Sequence, residues 1–148
     1  MAEKSGNPGV LYFYLQWADE MNARWRAHGT ADSVSTMYMR TWIGALYANV
    51  EGWNELKLTD LVVDRLLALK TGRKVPPSAK ETERDETFVD VLRRARNDVF
   101  HFSGKHHPPK IAAFFDTPGA LPWANNLHAA FRAYFDERAR RLEAQQRK

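Results

Sequence analysis

The densest chemistry in this sequence lies between residues 93 and 107. The run Arg93-Arg94-Ala95-Arg96-Asn97-Asp98-Val99-Phe100-His101-Phe102 crowds three guanidinium groups, an amide, a carboxylate and an imidazole together, and Lys105, His106 and His107 follow it. Histidine is the natural group to move a proton near neutral pH. Arginine is planar and permanently charged, so it suits negative charge developing on a phosphate. Those two functions are what cleavage of a phosphodiester by a ribose 2′-hydroxyl needs. His101 and an arginine of this run are therefore the candidate groups for those two functions. Arg93, Arg94 and Lys105 are the candidate RNA-binding side chains.

Other chemistries find less support. The chain has no cysteine, which excludes a disulfide scaffold, an iron–sulfur centre and a cysteine nucleophile. His101, His106 and His107 invite a metal reading, but adjacent histidines in a proline-containing loop lack an acidic partner at ligand spacing, so no metal is expected. There is no glycine-rich phosphate loop, and no cofactor is expected. The bland alternatives are specific. Arg94 and Asp98, at i and i+4, form a surface ion pair on that view. Glu51 either orients a histidine or is a boundary carboxylate satisfied by Tyr, Trp or solvent.

These residues must be positioned by helices, because the apolar spacing is helical throughout. A first helix is expected over 10–28, with Leu11, Tyr14, Leu15, Ala18, Met21 and Trp25 on one stripe. A second begins at Asp32 or Ser33 and runs to Leu56 through Trp42, Leu46, Val50 and Trp53. A short helix follows with Thr59 as its cap. The segment Ser78-Ala-Lys-Glu81 matches a capping box and is expected to open the helix that ends near His101. A loop spans Ser103–Pro122, and Thr117-Pro118 is expected to start the last helix, which carries Leu127, Phe131 and Phe135. No strand pair is expected. The fold class is all-α: a four-helix bundle with one short additional helix, in a single domain over 1–148, with a leader at 1–9 and a frayed tail at 143–148.

Composition agrees with a globular domain: 148 residues, 44% hydrophobic and 27% charged, enough to bury a core. The net charge of +4 and pI of about 9.5 point mildly to an anionic partner. No apolar run approaches membrane-span length, and the mixed-charge N-terminus is not a secretory signal, so a cytoplasmic protein is expected.

The stretch Arg96-Asn97-Asp98-Val99-Phe100-His101 resembles the signature of the HEPN superfamily: an arginine, a polar residue, and a histidine after four to six intervening positions. The run from Trp42 to Leu56 also looks like helix segments of small bacterial HEPN-like proteins. The resemblance makes Arg96, Asn97 and His101 the candidate catalytic residues and implies a helical, metal-independent endoribonuclease leaving 2′,3′-cyclic phosphate ends, in a toxin or defence setting, with RNA as substrate and an antitoxin or other protein as partner. It also implies a homodimer with the site shared between subunits. The chain departs from toxins paired with a nucleotidyltransferase in having Gly104, not tyrosine, three positions after the histidine. Arg96 and His101 also lie about 140° apart on an ideal helix, which a helix end near Phe100 or a second subunit would resolve.

Two alternatives stand beside this reading. One is a non-catalytic interaction module that binds nucleic acid or an acidic protein through the same basic helix end. The other is a small-molecule pocket among the aromatics of the first two helices. Tyr12, Phe13 and Trp17 lie off the core stripe of the first helix. Either a second copy covers them, or they pack under the Ser103–Pro122 loop through Ile111, Phe114 and Phe115.

Overall fold

The computed structural model describes residues 8–75, 83–100 and 110–147. In chain order the elements are α1 (Gly9–His28), α2 (Ser33–Glu55), α3 (Leu61–Leu67), β1 (Lys70–Val75), β2 (Arg84–Thr87), α4 (Phe88–Phe100), α5 (Lys110–Asp116) and α6 (Ala120–Gln146). The chain is thus predominantly helical, with four long helices and two short ones among the described residues. No helix among them is long and apolar enough to cross a membrane. The leader up to residue 7 and the Ser78–Glu81 match lie outside the described residues. The C-terminal helix runs on to Gln146, beyond the boundary expected for a frayed tail.

The helices form where the apolar period predicts them. Trp42, Leu46 and Trp53 of α2 are fully buried, as are Leu15 of α1, Leu92 of α4, and Leu127 and Phe131 of α6. Aromatic pairs tie α2 to α6: Trp53 lies 5.6 Å from Phe131 and 4.7 Å from Tyr134. Asp32 caps α2 by accepting from the Ser35 amide. That bond first, and the His28 side chain second, hold its pKa down at about 2. Gly29 closes α1 at φ 73°, a left-handed position where a side chain would be strained.

Four expectations are corrected. First, β1 and β2 pair antiparallel, with Lys70 opposite Thr87 and Lys74 opposite Asp85. The hairpin lacks alternating apolar residues, so its sequence carries no strand period. Polar cross-strand contacts hold it instead: Lys70 and Lys74 on Asp85, and the Thr71 hydroxyl and Arg73 on Glu86. Second, α4 starts at Phe88, capped by its own reciprocal pair. The Thr87 amide donates to Asp90 at 2.9 Å, and the Asp90 amide donates to the Thr87 hydroxyl at 3.1 Å.

Third, the caps of the shorter segments shift by one or more residues. Asp60, not Thr59, caps α3, because its carboxylate accepts from the amides of Val62 and Val63. Thr117 does not open α6: its hydroxyl turns back to donate to the Ala113 carbonyl and accepts from Arg73, and the helix begins at Ala120 after Gly119. Fourth, part of the expected loop is α5. Its Ile111 and Phe114 are buried, and Phe115 packs on Trp25. That segment therefore does not cover the off-stripe aromatics of α1. Tyr12 instead leans on Phe135, Trp17 borders a cleft, and Phe13 stays 61% exposed.

Candidate functional site

Three arginines of α4 meet three carboxylates, and the carboxylates differ in burial. Arg93 donates to Asp90 at 3.0 Å, and Arg94 pairs with Glu86. Both carboxylates are buried, at 5% and 7% side-chain exposure. Each carries a second arginine: Arg84 makes a two-pronged contact with Asp90 at 2.8 and 2.9 Å, and Arg73 reaches Glu86 at 3.1 Å. Burial pushes the pKa of Asp90 up, but the bonds from Arg84 and Thr87 outweigh it and hold the group well below the usual carboxylate range. Glu86 is lowered in the same way, with Thr71 and Arg94 overcoming its burial. Of the two arginines expected to bind RNA, Arg94 fastens α4 to the hairpin through Glu86, and Arg93 pairs within α4 on Asp90, the carboxylate that Arg84 of β2 also holds.

Arg96 sits differently. Its Nη2 lies 3.1 Å from Glu51, whose side chain is 52% exposed. Its guanidinium stacks over the Tyr47 ring at 4.7 Å. Its Nε is buried with no acceptor among the described residues. Arg96, Glu51 and Tyr47 border a cleft of about 590 Å³ between α1 and α2, whose opposite wall carries Tyr14 and Trp17. Those two rings are nearly parallel, 18° apart with centroids at 6.4 Å. Glu55 also lines the cleft, one turn beyond Glu51 on α2.

Of the expected catalytic residues, Arg96 is at this cleft and Asn97 is half-buried on the following position of α4. His101, Lys105, His106 and His107 lie outside the described residues. Glu51 meets Arg96 here, and the histidines of the 101–107 segment lie outside the described residues. Arg94 pairs with Glu86, and the side chain of Asp98, its expected partner, lies outside the described residues. The structure has a cleft lined by aromatics of the first two helices, where the sequence suggested a small-molecule pocket, and Arg96 borders it. Sequence reasoning missed Tyr47 and Glu55 as cleft residues. Glu51 and Glu55, at i and i+4, were the available signal, since they must share a helix face. Among the described residues no group of three His, Asp or Glu side chains is placed to hold a metal ion.

A second polar cluster is buried between α1, α2 and α6. His128 accepts at Nδ1 from the Trp42 indole N–H at 3.0 Å and contacts Asp19 through Nε2 at 2.6 Å. Arg132 also pairs with Asp19. Indole N–H only donates, so Nδ1 must be unprotonated and Nε2 carries the proton given to Asp19. Burial, and then the nearby charge of Arg26, push the pKa of His128 down to about 4. Both ring nitrogens are occupied, which leaves no lone pair for general-base work. This cluster is structural.

A scan against protein-family models matches none, and searches of curated proteins and of solved structures find no significant match.

Proposed function

We propose that this chain is a HEPN-like RNA-cleaving protein in which Arg96 holds the scissile phosphate, His101 moves the proton, and Asn97 orients one or the other. The observation that carries the reading is the contrast among the three arginines. Releasing Arg93 or Arg94 would weaken a charge-assisted cluster on a buried carboxylate that a second arginine completes. Releasing Arg96 gives up a pair with exposed Glu51, of a kind worth about 0–1 kcal/mol, and a stack on Tyr47 worth about 0.5–2 kcal/mol. Arg96 is thus the arginine that can exchange its carboxylate for a phosphate, and it does so at the rim of a cleft. In this mechanism the 2′-hydroxyl loses its proton and attacks the phosphorus. The 5′-oxygen of the next nucleotide leaves with a proton, giving a 2′,3′-cyclic phosphate and a 5′-hydroxyl with no metal required. On this reading α1, α2, α4 and α6 are the four bundle helices, and α3, α5 and the hairpin are additions.

The same proposal includes a cytoplasmic homodimer, with toxin or defence activity and an antitoxin or other protein partner. Exposed Phe13 supports the dimer, since the surface beside it on α1 is apolar and uncovered among the described residues. A second copy there would bring another motif end toward the cleft and supply the convergence that a spacing of five residues denies to one helix. A specific observation favours the non-catalytic alternative: Arg96 is already neutralised by Glu51, as a basic recognition surface without chemistry would tolerate.

The test is RNA cleavage in EDTA, with end-group analysis, by the wild type and by Arg96→Ala and His101→Ala. Both variants should fold, bind RNA at reduced affinity and lose cleavage. Undiminished cleavage by both would sink the mechanism. RNA binding without cleavage by the wild type would leave the interaction module as the answer. Light scattering of the wild type and Phe13→Glu tests the dimer, and a monomeric wild type at micromolar concentration removes it.

A further inference from the structure

We infer that the cleft beside Arg96 is a nucleobase site that selects guanine, an inference that rests on the RNA reading above and specifies its substrate. Three features of the cleft combine. Tyr14 and Trp17 present near-parallel rings on one wall, and Trp17 is 42% exposed. An exposed ring of this kind is what an unstacked base covers when it leaves a single strand. Arg96 stands across the cleft, its charge balanced by a solvent-exposed carboxylate that a phosphate can displace. Glu55 lies about one turn from Glu51, about 6 Å along the α2 axis. It is exposed and has no ion pair among the described residues.

Glu55 decides which base. An ionised carboxylate only accepts hydrogen bonds, through two oxygens side by side. Guanine alone among the four RNA bases carries two adjacent N–H donors on its Watson–Crick edge, at N1 and N2. Adenine and cytosine each set one amino donor beside a ring acceptor, whose lone pair faces the second carboxylate oxygen. Uracil sets one N–H between two carbonyls. A two-pronged contact to Glu55, with the base stacked on Trp17, therefore fits guanine and opposes the other three. Glu51 remains paired to Arg96 until the phosphate arrives, so the two carboxylates divide the work: one reads the base and the other yields its arginine.

The experiment is titration of the full chain with 5′-GMP, AMP, CMP and UMP, followed by tryptophan fluorescence and by NMR shifts of the Trp17 indole. The wild type should bind GMP at least tenfold more tightly than the others. Glu55→Gln should remove most of that preference, because an amide offers one acceptor where two are needed. Trp17→Ala should weaken all four nucleotides together. Equal affinities in the wild type, or a GMP preference untouched by Glu55→Gln, would overturn the inference. So would binding of tetramethylammonium with no binding of any nucleotide, which would make the cleft an aromatic–acidic cation site. The two readings fail separately. Cleavage without base preference ends the guanine site alone, whereas GMP selection without cleavage ends the nuclease alone.

Discussion

Acidification should destabilise the protein through His128, and the size of the effect follows from its contacts. The Trp42 indole can only donate, so the folded state keeps Nδ1 free of a proton. Burial, and then the charge of Arg26, push its folded pKa down to about 4, against an ordinary histidine value of 6.5. Between those values the unfolded chain binds a proton that the folded chain refuses, so stability falls as pH drops from 6.5 to 4 and levels off below. A gap of about 2.5 units at 1.36 kcal/mol each gives a loss of about 3 kcal/mol, and the His128 side chain is only 13% exposed, so solvent screening removes little of it. The opposite sign is physically conceivable, because Asp19 at 2.6 Å would stabilise an imidazolium. The Trp42 hydrogen bond is what excludes it. The assay is the urea midpoint from pH 4 to 8 for the wild type and His128→Gln, whose amide can accept from Trp42 and donate to Asp19 without titrating. The difference between the two curves isolates His128 from the other histidines. Identical pH slopes, or an NMR titration placing His128 at or above 6.5, would refute the reasoning.

Gly52→Ala drives a new methyl into the buried Leu11 side chain, so overpacking of about 1–3 kcal/mol should exceed the helix-propensity gain of about 1 kcal/mol; Leu11→Ala should absorb that penalty in a double-mutant cycle of thermal melts. Asp90→Asn breaks a buried carboxylate bound by Arg84, Arg93 and the Thr87 amide, and chemical denaturation should register a loss of about 3–5 kcal/mol. Asp60→Ala should cost about 1 kcal/mol while Thr59→Ala stays close to neutral, because Asp60 caps α3; equal costs would return the cap to Thr59. Glu51→Gln should tighten binding of a single-stranded oligoribonucleotide by about two- to fivefold, the equivalent of removing a competing surface pair, and weaker binding by this variant in a filter or fluorescence assay would contradict the exchange proposed for Arg96.

Local rules sufficed where the deciding partner is near in sequence. The apolar period of α1, α2 and α6, the Asp32 cap and the aromatics left off the α1 stripe all follow from residues a few positions apart, and the structure agrees with each. The residue types in the Arg96–His101 segment are those that the proposed phosphate chemistry would use, and that too is readable without any fold. Local rules failed where a polar contact over a longer span decides the outcome. The hairpin has no hydrophobic alternation, and its two strands are joined by Thr71, Arg73 and Glu86 across a 15-residue separation. The equivalence of Arg93, Arg94 and Arg96 in the sequence is broken only by tertiary packing, which sets the first two on buried carboxylates and the third on an exposed one. His128 shows the same limit: a histidine on a helix is a proton carrier by type, and burial, the charge of Arg26 and the indole of Trp42, 86 positions away, make it a neutral acceptor. Residue type determines which charges and hydrogen bonds a chain can offer. Burial, which depends on what folds against each side chain, determines which of them remain free to act on anything else.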